Sequence, residues 1–247
     1  MIEFDVLSRK GISRDNNEDS YAILTELAGG CTALIIADGM GGHNSGEIAS
    51  SRAVAYISDK LKDMDITSKE EICLKLGNTI SEANYDIYRL SLENPLHAGM
   101  GTTLTVSYIC GNSLFIGHIG DSRVYLIRNG SIRLLTSDHT YIEELVRNGS
   151  ITRTEAKNHP DKNAITRAVG IIPEVKPDIY FYDIIDADTL LICTDGLTGS
   201  VTEDEMLEAF LNNISVKSIC EALVGIAVSR GGQDDVTVMA VKFSQSE

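Results

Sequence analysis

The sequence predicts an α+β fold, and three observations carry the assignment. Strand-like apolar runs gather in groups, near the start, over 102–135 and over 179–194. Helical periodicities gather separately, over 46–90 and 202–229. Tight-turn dipeptides, Gly111-Asn112 and Asn129-Gly130, join successive strands without room for a crossover helix. Clustered strands and clustered helices argue against strictly alternating α/β architecture.

In chain order, a first strand is expected near Ile2 to Leu7, followed by a polar loop from Arg9 to Ser20. A short strand at Tyr21 to Leu24 leads to the apolar run Ala33-Leu34-Ile35-Ile36-Ala37, which closes in Asp38-Gly39-Met40-Gly41-Gly42-His43-Asn44. From Gly46 onward Val54, Ile57 and Leu61 share one helical face. Ile72, Leu76, Ile80, Ala83, Ile87 and Leu90 then repeat at spacings of three and four, the signature of a second, longer amphipathic helix. Thr102 to Ile109, Ser113 to Ile119, Arg123 to Ile127 and Ile132 to Leu135 read as an antiparallel meander. Between Ser137 and Gly170 short helical pieces replace strands, one over Tyr141 to Arg147 and one introduced by the capping box Thr152-x-x-Glu155. Strands return at Ile179 to Tyr182 and Thr189 to Thr194. Helices follow after Thr202, with Glu205 completing a capping box, and over Val216 to Ser229, and a last strand runs over Val236 to Phe243.

The 247 residues fit one large domain. Lys+Arg 21 against Asp+Glu 36 leaves a formal charge of −15, which opposes binding to nucleic-acid phosphates. Cys31, Cys73, Cys110, Cys193 and Cys220 are odd in number and never spaced as Cys-x-x-Cys, so buried reduced thiols are expected. Neither a signal peptide nor a membrane-spanning run is expected, which places the chain in the cytoplasm without a membrane partner.

Three predicted strands end in an aspartate beside glycine: Asp38-Gly39, Gly120-Asp121 and Asp195-Gly196. One such pair is an ordinary turn. Together with Asn17-Glu18-Asp19 and Gly232-Gln233-Asp234-Asp235, they can form one acidic cluster. Four carboxylates about 4 Å apart repel by roughly 4 kcal/mol per pair at an effective dielectric of 20, so cations are expected among them. All-oxygen ligation suits Mg²⁺ or Mn²⁺, and two such ions sharing an aspartate acidify a water for attack on a phosphate ester. Arg14, in the loop before Asp19, offers a planar fork for phosphate oxygens.

Gly11-Ile12-Ser13-Arg14-Asp15-Asn16-Asn17-Glu18-Asp19, Asp38 to His43 with Gly46-Glu47, Met100-Gly101-Thr102-Thr103, Gly120-Asp121-Ser122-Arg123, Ser137-Asp138-His139-Thr140, Thr194-Asp195-Gly196-Leu197 and Gly232 to Val238 stand in the order of the signature motifs of one family. Over nearly its whole length the chain resembles the metal-dependent type 2C (PPM) serine/threonine protein phosphatases, bacterial branch. The resemblance implies a central sandwich of two antiparallel β-sheets flanked by helices, one phosphatase domain over 1–247 and a flap subdomain over 137–170. It implies hydrolysis of phosphoserine and phosphothreonine in proteins by hydroxide bridging two Mn²⁺ or Mg²⁺ ions. By position, Asp38 matches the bridging aspartate, Gly39 a carbonyl ligand, Asp195 and Asp234 the carboxylates of the second metal, and Asp19 a ligand acting largely through water. Asp121 matches, with Asp195, a weaker third-metal site. Arg14 matches the phosphate-holding arginine, and His43 a residue at the substrate. A monomer acting on phosphoproteins, opposed by a serine/threonine kinase, is implied.

Two residues depart from the family pattern. Met40 stands where histidine is common and cannot move protons, and Asp235 stands where asparagine is common, adding a carboxylate that is either solvated or strengthens metal binding. His97, His118, His139 and His159 lack mutual ligand spacing, and His118, within a strand, reads as a satisfied buried imidazole. Two alternatives use the same residues: a catalytically silent module that binds phosphoproteins or a kinase, and a small-molecule phosphoesterase.

Overall fold

The computed structural model describes residues 2–41, 45–64, 68–156, 159–161 and 164–244. Among these residues eleven strands form two antiparallel sheets. β1 (Ile2–Arg9), β11 (Val236–Phe243), β10 (Thr189–Cys193), β7 (Arg123–Arg128) and β8 (Ser131–Leu134) lie in that order in the first. The second has the order β2 (Asp19–Leu27), β3 (Cys31–Met40), β5 (Leu104–Cys110), β6 (Ser113–Ile119) and β9 (Asp178–Asp183), with the two-residue β4 (Gly101–Thr102) paired to the end of β3.

The central strands β3, β5, β6, β7, β10 and β11 are buried on both faces, which explains their unbroken apolar runs. In β3, Leu34 and Ile36 meet Ile192 of β10 and Met239 of β11 between the sheets, while Ala33, Ile35 and Ala37 point the other way. Those three meet helices α1 (Ser45–Lys62) and α2 (Lys69–Glu93) through Ala53, Ile57, Leu76 and Ile80. On the opposite outer face, Leu191 of β10 and Val238 of β11 pack with α6 (Glu203–Asn212) and α7 (Val216–Ser229) through Met206, Phe210, Ile219 and Leu223. Four layers, helix, sheet, sheet and helix, result. The α2 face read from the sequence is the buried one, and Ser68 caps the helix by accepting from Glu71 N.

Three expectations change. β6 and β7 do not belong to one meander: β6 pairs with β5 and β9 in one sheet, and β7 with β8 and β10 in the other. The chain switches sheets at Gly120-Asp121-Ser122, because both strands are apolar on two faces and each fills a central position. Cys31 and Cys110 form a disulfide rather than remaining reduced. They are far apart in sequence but stand at the ends of the paired strands β3 and β5, one step beyond the Thr32 and Ile109 partners. His118 is buried with Nδ1 bonded to Thr105 Oγ1 at 2.9 Å, but Nε2 finds no hydrogen-bond partner.

The 137–170 segment carries α3 (Tyr141–Arg147), capped by Thr140, and the one-turn α4 (Arg153–Ala156), where Thr152 and Glu155 form the expected box. It returns to the body of the molecule through bridges pairing Thr140 with Ile165 and Thr102 with Val169. Among the described residues no helix is long and apolar enough to cross a membrane.

Candidate active site

The two sheets present strand ends and connecting turns to one cleft of about 360 Å³. Asp38 arrives at the end of β3, Asp121 in the β6–β7 turn, Asp195 at the start of the four-residue helix α5 (Asp195–Thr198), and Asp234 in the loop before β11. Glu18, Arg14, Gly39, Met40, Gly41, Thr103 and Ile165 complete the lining. Asp19 lies beneath it and is the direct cross-strand partner of Asp38. Two like charges opposed in this way destabilise a sheet, so the pairing points to a requirement other than stability.

The Asp38 main chain is held at every polar atom. Its N–H donates to Thr103 Oγ1 at 2.8 Å, and its carbonyl accepts from Thr103 N and Thr102 Oγ1, both at 2.8 Å. Thr103 Oγ1 shares a further hydrogen bond with Ser122 Oγ at 2.8 Å, linking the Asp38 strand to the turn that carries Asp121. Gly39 N donates to Glu18 O at 3.1 Å. A Cβ on Gly39 would sit 2.2 Å from Gly46 O and 2.7 Å from Glu18 O, so glycine is the residue that lets β3, the start of α1 and the Glu18 strand converge.

The arginine loop is anchored with equal economy. Asp235 is buried, and its two oxygens accept from Gly11 N at 2.8 Å and Glu18 N at 2.7 Å. Ile12 N donates to Gly232 O at 2.7 Å and Ser13 Oγ to Gln233 O at 2.9 Å. The loop bearing Arg14 and the loop bearing Asp234 are therefore one construction. Asp235 is not solvated, which corrects one of the two readings made for it; its charge also bears on Asp19, whose carboxyl it helps to raise. Asparagine at this position keeps one acceptor, whereas aspartate satisfies two amides.

Arg14 reaches Asp234 Oδ1 at 2.6 Å and Glu18 Oε2 at 3.5 Å, with Arg14 and Asp234 side chains both 42% exposed at the rim. Deeper in, burial raises the Asp19 and Asp121 carboxyls to about 7, reinforced for Asp19 by Asp235 and Asp195 and for Asp121 by Asp195 and Asp138. Two threonines limit the rise at Asp19: Thr237 Oγ1 and Thr194 Oγ1 donate to Oδ2 at 2.6 and 3.0 Å. Asp38 is driven well above the carboxylate range by burial and then by Asp19, Asp195, Asp121 and Asp234. Asp195 is raised by burial and Asp234, offset by a hydrogen bond with Asp38.

The residues suit hard divalent cations. Asp19 Oδ1 is buried with no hydrogen-bond partner, and the carboxylates that raise one another are offset in part by Arg14 and Arg123. Among the described residues no three His, Cys, Asp or Glu side chains are grouped as a finished ion cage. Asp234 Oδ1 is taken by Arg14 and by its neighbour's amide, Asp235 N, at 2.9 Å. A cation drawing on Asp234 has Arg14 as its competitor.

The sequence-derived set thus meets in one place, with Asp38, Gly39, Asp121, Asp195, Asp234 and Arg14 around the cleft and Asp19 just under it. His43 lies outside the described residues. Sequence reasoning missed the cleft-facing side chain of Glu18, although it sits between Arg14 and Asp19 in a motif already singled out. It also missed the hydroxyls of Thr103, Thr194 and Thr237, whose signal was their place beside each aspartate motif. A larger groove of about 590 Å³ between α1, α2 and residues 173–175 has Glu82 paired to Lys60 and Asp86 to Arg52, and none of the converging unpaired carboxylates.

A converging set of carboxylates at the end of a four-layer sandwich, two of them buried and with an arginine at the mouth, defines a cleft for metal-assisted work on phosphate esters. Residues 10–222 match the family model described as Protein phosphatase 2C. Over 234 residues the chain is 38% identical to the serine/threonine phosphatase stp of Listeria monocytogenes, covering 94% of this chain and 92% of that one. It is 36% identical to the protein phosphatase PhpP of Streptococcus pneumoniae over 246 residues, 100% of this chain and 99% of the relative. Among solved structures, the S. agalactiae serine/threonine phosphatase superposes with a TM-score of 0.93 at 34% identity, covering 99% of this chain and 100% of that one. The catalytic domain of the phosphatase PstP, in complex with two manganese ions, superposes at 0.86 with 35% identity and 99% coverage of both chains. The chain belongs to the protein phosphatase 2C family and is a metal-dependent serine/threonine protein phosphatase.

Proposed function

We propose that the chain removes phosphate from phosphoserine and phosphothreonine in proteins by direct attack of water, with no phosphoenzyme. The observation that carries this reading is the convergence of Asp19, Asp38, Asp121, Asp195 and Asp234 on one cleft, where each raised carboxyl is burdened by the others. Two divalent cations, Mn²⁺ or Mg²⁺, would supply Lewis acidity and a nucleophilic water at neutral pH. Asp38 would be shared between them, with the Gly39 carbonyl on one side and Asp195 and Asp234 on the other. Asp19 would act from beneath, and Asp121 with Asp195 would serve a third, weaker position.

Arg14 would leave Asp234 to hold the phosphate, exchanging a monodentate contact at the exposed rim for a bidentate one. Met40, in the cleft lining, cannot protonate the leaving alkoxide. Metal-bound water or the third-metal position would supply that proton. His43 would contribute to substrate contact. We assign the protein to the cytoplasm as a monomer, opposed by a serine/threonine kinase, with 137–170 as a flap beside the cleft of one phosphatase domain.

The test is manganese titration of phosphothreonine-peptide hydrolysis by wild type, Asp38→Ala and Asp195→Ala. Each variant should lose at least a thousandfold in kcat at saturating metal. Turnover near the wild-type value would refute the reading.

A further inference from the structure

One imidazole joins the turn that carries Asp121 to the 164–169 stretch that flanks the cleft. His139 is buried, and both polar backbone groups of Gly120 are bonded to it. Gly120 N donates to His139 Nδ1 at 3.1 Å, and Gly120 O accepts from His139 N at 2.8 Å. Gly120 has φ +108°, and a Cβ there would lie 2.6 Å from the Thr103 side chain, so this backbone is held where only glycine sits comfortably. Asp121 is the next residue.

On the other edge of the ring, Nε2 lies 3.1 Å from Asp178 Oδ2, which also accepts from Tyr180 OH at 3.3 Å. Asp178 Oδ1 accepts from Arg167 at 2.8 Å. The His139 carbonyl accepts from Thr166 N at 2.7 Å, next to Ile165 in the cleft lining.

An amide N–H can only donate, so Nδ1 must present its lone pair and the neutral ring must carry its proton on Nε2, directed at Asp178. Asp178 remains an ionised acceptor because Arg167 and His139 outweigh its burial and hold it at about 2. Burial keeps the His139 ring neutral despite that carboxylate.

We propose that His139, locked by Asp178 in its Nε2–H tautomer, is a positioning residue that sets the Asp121 turn and couples it to the cleft wall at residues 165–167. This rests on the reading that Asp121 works at the metal centre. The geometric half of it, the tautomer and its hold on Gly120, does not.

Asp178→Asn is the informative variant. Arg167 donates to Oδ1 at 2.8 Å but to Oδ2 only at 3.4 Å, so the asparagine oxygen stays with Arg167, and the amide nitrogen faces Tyr180 OH and His139 Nε2, donates to the ring and drives its proton to Nδ1, against Gly120 N–H. Ring ¹⁵N spectra of the metal-free full chain should show the Nε2–H form in wild type and the Nδ1–H form in Asp178→Asn. Amide exchange at Gly120 should quicken at least tenfold. With Mn²⁺, kcat on a phosphothreonine peptide should fall at least tenfold while KM stays within twofold.

His139→Asn, whose Oδ1 can accept from Gly120 N, should recover most of the Gly120 protection and kcat that His139→Phe loses. This pair carries the test if Asp178→Asn does not fold. A wild-type Nδ1–H ring, a tautomer swap that leaves Gly120 exchange unchanged, or equal behaviour of His139→Asn and His139→Phe would overturn the proposal. Normal metal-free behaviour of this network alongside an active Asp38→Ala would instead reject the metal reading and leave the hold on Gly120 standing.

Discussion

Without metal, the site should make the protein lose stability as pH rises, and neutralising one carboxyl should expose that loss. Asp121 goes from an ordinary 3.8 to about 7 on folding, first through burial and then through Asp195 and Asp138. A folded pKa above the unfolded one means that the native state binds the proton more tightly. The stabilisation is complete below about pH 4 and is lost as pH climbs through about 7. At 1.36 kcal/mol per pH unit, the full effect is roughly 4 kcal/mol, of which about 2.6 kcal/mol falls between pH 5 and pH 8.

Unfolding entropy near 2.1 cal/mol/K per residue makes 1 kcal/mol worth about 2 °C in a chain of this length, so the shift is about 5 °C. Buried imidazoles act in the opposite sense. His118, lowered to about 3 by burial and His139, resists protonation and costs stability as pH falls below about 6.5. The measurement must therefore be differential: thermal unfolding of chelator-stripped wild type and Asp121→Asn, side by side across pH 5 to 8. The imidazole contribution cancels, and the Tm of Asp121→Asn should gain about 5 °C on wild type over that range. Saturating Mn²⁺ should close or reverse the gap, since ions that bind only the folded chain relieve the repulsion. Parallel metal-free Tm curves would refute the argument that repelling, desolvated carboxylates dominate this site.

Two further outcomes follow from named contacts. Arg14→Ala should raise KM for a phosphopeptide by about 10- to 100-fold with a smaller effect on kcat, because a phosphate contact of this kind exists in the ground state. By releasing Asp234 from an exposed ion pair worth at most about 1 kcal/mol, it should also lower the Mn²⁺ midpoint by no more than about fivefold, readable by calorimetry. Thr103→Val leaves the Asp38 amide without its acceptor and cuts the link to Ser122, which should cost about 1–3 kcal/mol and lower Tm by about 2–6 °C. An unchanged Tm would mean that Asp38 is held by its other partners alone.

Much of the fold was legible because its strands and helices are strongly periodic. The α1 and α2 faces, both capping boxes and the strand ends at Asp38 and Asp195 follow from spacing that tertiary packing does not override. The sheet switch at Gly120-Asp121 was not legible, since β6 and β7 have the same buried pattern whether they pair with each other or lie in opposite sheets. Pairing of Cys31 with Cys110 was hidden for the same reason, as register across β3 and β5 is a long-range property. In the site, the carboxylates announced themselves by residue type. Their supports did not, because a buried Asp235 accepting two amides and a solvated one look alike in one dimension.

The supports explain why the acidic motifs are embedded in longer signatures. Asp19 and Asp38 are register partners, so the β2–β3 pairing forces the repulsion that a cation would relieve. A sheet accepts such a pair only if other interactions fix the backbone on either side. Thr102 and Thr103 fix Asp38, Thr194 and Thr237 fix Asp19, Asp235 fixes the Arg14 loop, and His139 fixes Gly120 beside Asp121. Each supporting residue lies in a different element from the carboxylate or loop it steadies, and most sit within another of the chain's own motifs. No one motif can therefore build the cleft. Losing one supporting hydroxyl or imidazole should degrade the carboxylate geometry while leaving every carboxylate in the sequence intact.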